Sequence, residues 1–249
     1  MIDVAFLGAE VRPAQTAVVI DVLRATSTIT LALASGYERV LVAASIDEAR
    51  TLRAPGRVLA GEVRCAPAPG FDLGNSPEET LSPRGAELVL ATTNGAPAII
   101  GSAAVAGEVL VASMLNLDAV VKSLASADDI LLVAAGTDGA VTIEDVYLAG
   151  RISAALEGER TDAARVAEAV AAAYPRPLDA LEASSGAIGL RREGLEADIA
   201  FCAQESILDS VPRLTAMDGT IPILTTAAGE PAGGPQALAS GPQHIDHIQ

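Results

Sequence analysis

Three observations predict an α/β fold: a layered α/β/α arrangement with a largely parallel or mixed sheet and a more helical C-terminal part. Five short, β-branched aliphatic runs recur along the chain, each ending abruptly in polar residues. Stretches with helical periodicity separate them. The runs are apolar on both faces, as parallel strands covered on both sides must be, and Ile130-Leu131-Leu132-Val133 is the plainest case. The first strand is expected at 18–22, leading into a helix over 28–35 that stops at Gly36. A second strand at 39–42 precedes a crossover helix at 46–53, with Ser45 as N-cap and Asp47 and Glu48 in its first turn. Strands at 88–91, 109–111 and 130–133 are followed by helices near 97–104, 117–124 and 143–156, where Pro97 and Asp118 are ordinary entry residues. Beyond 156 helices dominate. Thr161 or Asp162 caps one over 163–174, Pro175 and Pro177 break the chain, and helices over 178–190 and 196–205 flank Gly194. A strand returns at 221–226. Residues 1–226 therefore read as one α/β domain, with two subdomains divided near 157–177 as the alternative. Residues 227–249, rich in Gly, Pro, Ala, Ser and Gln, read as a disordered tail.

At 249 residues the chain can bury a sizeable core, and with 50% hydrophobic but only 2% aromatic residues that core is Ala, Val, Leu and Ile. No window approaches the roughly 18 apolar residues of a membrane span. No secretory signal is visible at the start, and Cys65 and Cys202 make neither a disulfide framework nor a zinc cluster. A soluble, cytoplasmic protein is the expectation. Lys plus Arg total 16 against 32 Asp plus Glu, for a net charge of −16, and Lys122 is the only lysine. Without a basic run, nucleic-acid binding is excluded. An anionic ligand would have to be captured by local cations against this field, and Arg24 beside a divalent metal would do so. Both histidines, His244 and His247, sit in the tail, which leaves the folded region none for catalysis. The Ala-rich helical surface is of the kind that packs into a homodimer.

Chemistry concentrates at the strand ends: Asp21 to Thr28, Gly61-Glu62, Thr92-Thr93-Asn94-Gly95, Ser113 to Asn116, and Gly136-Thr137-Asp138-Gly139. Strands sharing one sheet edge would bring these together. Backbone amides at a helix N-terminus attract anions, and an Arg beside them makes paired bonds to phosphate. Asp21 would then be free for a metal; alternatively Thr26 or Ser27 caps the helix and Asp21 pairs with Arg24. The 69–77 loop carries Asp72, Asn75 and Ser76, although on spacing alone it is a turn. Glycines such as Gly95 let backbone approach a ligand or take positive φ. Glu144 and Asp145, one turn into a helix, are either metal ligands or dipole-favoured acids. The chain has no P-loop, no G-x-S-x-G and no histidine-based triad. Leu23, two residues after Asp21, stands where an aspartyl-phosphate phosphatase carries a second Asp.

In order and spacing, Asp21-Val22-Leu23-Arg24-Ala25-Thr26, Gly61-Glu62, Gly70-Phe71-Asp72-Leu73-Gly74-Asn75-Ser76-Pro77, Thr92-Thr93-Asn94-Gly95 and Ala135-Gly136-Thr137-Asp138-Gly139 with Glu144-Asp145 resemble the 2-phosphosulfolactate phosphatase family over about residues 15–155. Asp198, Phe201-Cys202 and Val211-Pro212 look like its C-terminal landmarks. The resemblance implies a magnesium-dependent acid phosphatase with an α/β fold, splitting 2-phosphosulfolactate into sulfolactate and phosphate in coenzyme M biosynthesis, where that pathway exists. The sequence departs from the family pattern at Val63-Arg64-Cys65-Ala66, where Arg and glycines usually follow Gly-Glu. It departs again at Ala134-Ala135, where Cys-Ala is frequent, and residues 184–192 match loosely. Arg64 stands one position beyond the expected Arg and is a candidate to replace it.

On this basis Mg²⁺ is expected on Asp21, Glu62 and one of Glu144 or Asp145, since Mg²⁺ keeps several waters and needs few carboxylates. Arg24, with Thr26, Ser27, Asn75, Ser76, Thr93, Asn94, Gly95 and Thr137, would hold the phosphoryl oxygens. Catalysis is then mainly positioning and charge neutralisation, with Asp21 or Asp72 as general base. Alanine at Asp21 or Arg24 is expected to remove most turnover with little effect on thermal unfolding. A sulfonate on the substrate would need a further cationic pocket, for which Arg64, Arg191 and Arg192 are candidates. Two alternatives stay open: a phosphatase for another phosphorylated hydroxy acid, and a non-catalytic anion-binding protein.

Overall fold

The computed structural model describes residues 1–226. Among them, ten strands form one mixed sheet: β1 (Ile2–Ala5), β2 (Thr16–Ile20), β3 (Arg39–Val42), β4 (Arg57–Val63), β5 (Ala66–Pro67), β6 (Glu87–Ala91), β7 (Glu108–Ala112), β8 (Ile130–Ala134), β9 (Arg213–Asp218) and β10 (Ile221–Thr225). The helices are α1 (Ala25–Ala34), α2 (Ile46–Thr51), α3 (Gly95–Val105), α4 (Leu117–Leu124), α5 (Ile143–Ala155), α6 (Asp162–Ala173), α7 (Pro177–Glu182), α8 (Ser185–Arg192) and α9 (Glu196–Cys202). The spatial order β1-β8-β2-β7-β9-β10-β3-β6-β4-β5 contains two parallel blocks, β1-β8-β2-β7 and β3-β6-β4. The antiparallel pair β9–β10 bridges them, β9 against β7 and β10 against β3.

The period-2 alternation of the strands explains the layering. Ala17 and Val19, Val40 and Val42, Leu88 and Leu90, and Val109 and Val111 point to one face, where they share a core with Ile29, Ala32 and Leu33 of α1 and Ile99 of α3. The alternate residues of the first block, among them Val18, Ile20 and Leu132, face α4 to α9. Those of the second block, Leu41, Leu59 and Val89, face α2. The result is a layered α/β/α fold. Helix α6, inside the suggested break at 157–177, and α7 and α8 after it contribute to the same core as β1, β2 and β8. No described helix is long and apolar enough to cross a membrane.

Several expected boundaries move for local reasons. The first helix begins at Ala25, not 28, so Thr26 and Ser27 lie inside it and neither caps it. The stretch 178–190 is two helices, because the Ser184 hydroxyl accepts the Ala187 N–H at 3.1 Å and starts a new one. Strands β1 and β9 carry weak sequence signals: β1 is four residues long, and the outer part of β9 is exposed rather than aliphatic and buried. The expected tail, with both histidines, lies outside the described residues.

Candidate active site

Four of the five polar strand ends meet around a cavity of about 630 Å³. Asp21 and Arg24 follow β2, Glu62 ends β4, Thr92, Thr93 and Asn94 follow β6, and Thr137 and Asp138 follow β8; all line it, with Asn75 and part of α8. The end of β7 is not among them. Asn116 Oδ1 there accepts the Ser113 N–H at 2.9 Å, and its Nδ2 donates to the Ser210 carbonyl at 3.0 Å. The segment after α9 covers this end, with Ser206 and Leu208 N–H groups on the Met114 and Leu115 carbonyls. Ser113 and Asn116 are therefore structural.

Asp21 sits at the cavity wall. Its Oδ1 accepts the Ala25 N–H at 3.2 Å, and Oδ2 makes no hydrogen bond among the described residues. A Cβ on residue 95 would lie 2.6 Å from Oδ2, so glycine at 95 is what allows α3 to approach this carboxylate. Thr26 Oγ1 donates to the Asp21 carbonyl at 2.8 Å and accepts the Asp21 N–H at 3.1 Å; Ser27 Oγ donates to the Val22 carbonyl at 2.8 Å. These two hydroxyls, expected on the ligand, instead fix the β2–α1 turn, and neither lines the cavity. Burial, then the neighbouring Asp145 and Glu62 charges, push the Asp21 carboxyl up to about 8 against the opposing Ala25 N–H and Arg24.

The other acids act mainly as straps. Asp145 Oδ1 accepts the Val22 N–H at 2.8 Å and its Oδ2 the Gly136 N–H at 3.0 Å, tying the ends of β2 and β8 together. Burial, then Glu144, raises it to about 8. Glu62 Oε2 accepts the Cys65 N–H at 2.8 Å, and its Oε1 accepts the Thr93 N–H at 3.0 Å and hydroxyl at 2.9 Å, joining the β4 and β6 ends. Glu144 is raised to about 7 by burial and then by Asp21, and its buried Oε2 has no partner among the described residues. Asn94 Oδ1 accepts the Asp138 N–H at 3.1 Å, linking the β6 and β8 loops. Asn75, 4% exposed, lines the cavity, and its Oδ1 has no partner among the described residues.

Arg24 is also buried, at 3% exposure. Its Nη1 donates to Asp198 Oδ2 at 2.5 Å and its Nη2 to the Cys65 carbonyl at 2.8 Å. Ser76 Oγ donates to Asp198 Oδ1 at 2.6 Å, so Ser76 reaches Arg24 through Asp198 and not the cavity. Asp198, from α9, is the residue sequence reasoning missed as part of the site. Its only signal was its place as a family landmark. Asp72 departs from the expected role of base. Its Oδ2 accepts the Leu59 N–H at 2.8 Å, Arg53 Nη1 lies 3.2 Å from Oδ1, and it does not line the cavity. The Leu59 N–H, and after it Arg53, hold its carboxyl below the ordinary range.

The candidate Mg²⁺ ligands Asp21, Glu62 and one of Glu144 or Asp145 do not form one ligand shell. Among the described residues no three Asp, Glu, His or Cys side chains converge at metal-binding spacing. Asp145 and Glu62 are occupied by N–H and O–H donors, and neither Glu144 nor Asp145 lines the cavity. What fits a hard cation is Asp21, a buried carboxylate among like charges, since Mg²⁺ is commonly held by one or two carboxylates together with substrate phosphate and water.

Comparison with known proteins identifies the family. The profile of a family described as 2-phosphosulpholactate phosphatase matches residues 7–217. A Thermus thermophilus protein is 41% identical over 205 residues, covering 79% of this chain and 86% of its own length. One from Thermotoga petrophila is 41% identical over 218 residues, 86% of this chain and 95% of its own. Both are named "Probable 2-phosphosulfolactate phosphatase". A Methanothermobacter thermautotrophicus protein named 2-phosphosulfolactate phosphatase is 36% identical over 198 residues, 78% of this chain and 84% of its own. Over a layered α/β/α fold with Arg24 and Asp21 at its cavity, the match places the chain in the 2-phosphosulfolactate phosphatase family, as a phosphoric monoester hydrolase.

Proposed function

We propose that this chain hydrolyses 2-phosphosulfolactate to sulfolactate and phosphate, with Mg²⁺ as cofactor. The observation that carries the reading is the meeting of four strand ends around one cavity that holds Arg24 and Asp21 on its wall. Asp198 and the Cys65 carbonyl fix Arg24, so its remaining N–H donors are preorganised for phosphoryl oxygens. The Asn75 carboxamide adds a further polar group there. Asp21 would hold Mg²⁺, which supplies neutralisation of the phosphoryl charge when bound. Of the two acids offered as general base, Asp72 is turned away and Asp21 lies at the cavity, so the proton of the attacking water passes to Asp21. Water oxygen bonds to phosphorus, the ester P–O bond breaks, and the sulfolactate oxygen leaves and takes up a proton. The Glu62, Asp145 and Asn94 straps hold the loops in register during this exchange.

The test is phosphate release from 2-phosphosulfolactate in excess Mg²⁺ and in EDTA. Release that EDTA abolishes and Mg²⁺ restores is expected. Release indifferent to EDTA removes the metal from the reading, and no release removes the substrate.

A further inference from the structure

Two more guanidinium groups line the cavity that holds Arg24: those of Arg64 and Arg192. Arg64 lies at the tip of the β4–β5 hairpin, where Val63 pairs with Ala66 and leaves Arg64-Cys65 as the two-residue connection. Both residues are left-handed, with φ of 53° and 70°. Two-residue hairpins of this shape strongly prefer Asn-Gly, because other side chains are disfavoured in that region. Arg64 stands there against that preference, a backbone outlier of the kind that collects at functional sites. The tip is also fixed to the phosphate-binding machinery: the Cys65 N–H donates to Glu62 and its carbonyl accepts from Arg24.

Arg192 closes α8, a helix whose first turn lines the same cavity through Ser185 and Gly186. A Cβ on Gly189 would lie 3.3 Å from Cys65 Sγ, so this helix packs closely on the hairpin tip. Arg191, one residue earlier, donates to the Glu182 carbonyl at 3.3 Å and pairs with the Glu182 carboxylate at 3.8 Å. Arg64 and Arg192 make no ion pair among the described residues, although the chain carries 32 acids against 16 basic groups. Glu193 and Asp138 share this part of the cavity, so a bound anion needs both guanidinium groups to outweigh them.

We infer that Arg64 and Arg192 form a second oxyanion clamp, gripping the acidic group that the phosphate ester carries beyond its phosphate. The inference rests on the reading that Arg24 takes the phosphate. It makes this pair the specificity-determining element, separate from the residues that act on the phosphoryl group. Removing one charge-assisted hydrogen bond from each side should weaken binding of the acidic half by at least about tenfold.

Calorimetric titration tests this with inorganic phosphate, sulfolactate, and malate, which carries a carboxylate in place of the sulfonate. In the Arg64→Gln, Arg192→Gln double variant, sulfolactate is expected to bind at least about tenfold more weakly and phosphate within about twofold of wild type. Malate run in parallel identifies the oxyanion: a parallel loss marks any carboxylate, and no wild-type binding marks the sulfonate, either supporting the clamp. Arg64→Asn suits the left-handed backbone, so its thermal midpoint should equal or exceed wild type while sulfolactate affinity falls. Unchanged sulfolactate affinity in these variants, an equal loss of phosphate affinity, or no sulfolactate binding by the wild-type protein overturns the proposal. Arginine-dependent sulfolactate binding by a wild-type protein that releases no phosphate from 2-phosphosulfolactate would leave the clamp standing and remove that ester as the substrate.

Discussion

Two arginine–aspartate pairs are tied to the loop between β5 and β6, and they differ in one respect. In the pair Arg24–Asp198 the side chains are 3% and 4% exposed; in Arg53–Asp72 they are 48% and 36% exposed. The chemistry of the partners is the same. Water screens the outer pair, and such pairs contribute roughly 0–1 kcal/mol. The inner pair is dry, so removing one partner strands a buried charge at a cost of about 3–5 kcal/mol. Residue type thus says little about role; exclusion of water decides which pair can orient a catalytic group.

The contrast is sharpest at the acid that neither pair contains. Asp21→Asn is expected to lower turnover roughly a thousandfold, the scale of general acid–base catalysis. It should not lower the thermal midpoint at pH 8, because burial and Asp145 already disfavour charge there. Turnover within about tenfold of wild type would move the chemistry elsewhere. The inner pair comes next. Asp198→Ala should cost about 3–5 kcal/mol, a fall of roughly 10 °C in thermal midpoint for a chain of this size, with a large loss of turnover. Arg24→Ala should behave alike. The expectation that Arg24 could be removed with little effect on thermal unfolding therefore gives way to the buried pairing. Replacing both partners, Arg24→Met with Asp198→Leu, should restore much of the stability and none of the activity. If the double variant is as unstable as the singles, stranded charge is not the cause.

The same difference in burial explains what the sequence made legible. Strand runs and helix caps are local signals, and the Ser45 and Thr161 caps form as expected, accepting the Glu48 and Ala164 N–H groups. Asp21, Arg24, Glu62, Asn75, Thr93, Asn94 and Thr137 were readable because each sits at a strand end or a turn-rich loop, and they do line the cavity. The Arg24–Asp198 pair spans 174 positions, and nothing in local spacing announces it. Thr26, Ser27 and Ser76 carry the right groups, but those groups are consumed by backbone and by Asp198. The β7 end has the polar composition of the other four, yet a segment nearly a hundred residues later covers it.

A pH series in EDTA separates the regions by sign. Asp21, Glu144 and Asp145 carry folded pKa values of about 8, 7 and 8, above their ordinary 3.8, 4.5 and 3.8. From about pH 4 to 8 the folded protein binds more protons than the unfolded chain, so these groups contribute stability at low pH that is lost as pH rises. The midpoint should fall by roughly 5 °C or more across that range, and added Mg²⁺ should restore it at pH 8. Asp72 runs the other way: its carboxyl is lowered, so its contribution is present above the ordinary carboxylate value and is lost on acidification. A midpoint rising steadily to pH 8 in EDTA would mean that the three buried acids are not raised together.

The smallest effect is expected at Asp72 itself. Asp72→Asn keeps an oxygen for the Leu59 N–H and removes only the charge facing Arg53. The loss should stay within about 1 kcal/mol, or 2–4 °C, and turnover should stay within about twofold of wild type. Because the pair is exposed, roughly 0.5 M salt should erase most of the difference in midpoint between variant and wild type. Asp72→Ala additionally strips the Leu59 N–H of its acceptor and should cost about 1 kcal/mol more, again without changing turnover. A hundredfold loss of turnover in Asp72→Asn, with the midpoint unchanged, would return the proton-transfer role to Asp72. The loop would then have to close over the cavity during turnover and break the Arg53 pair as it did so.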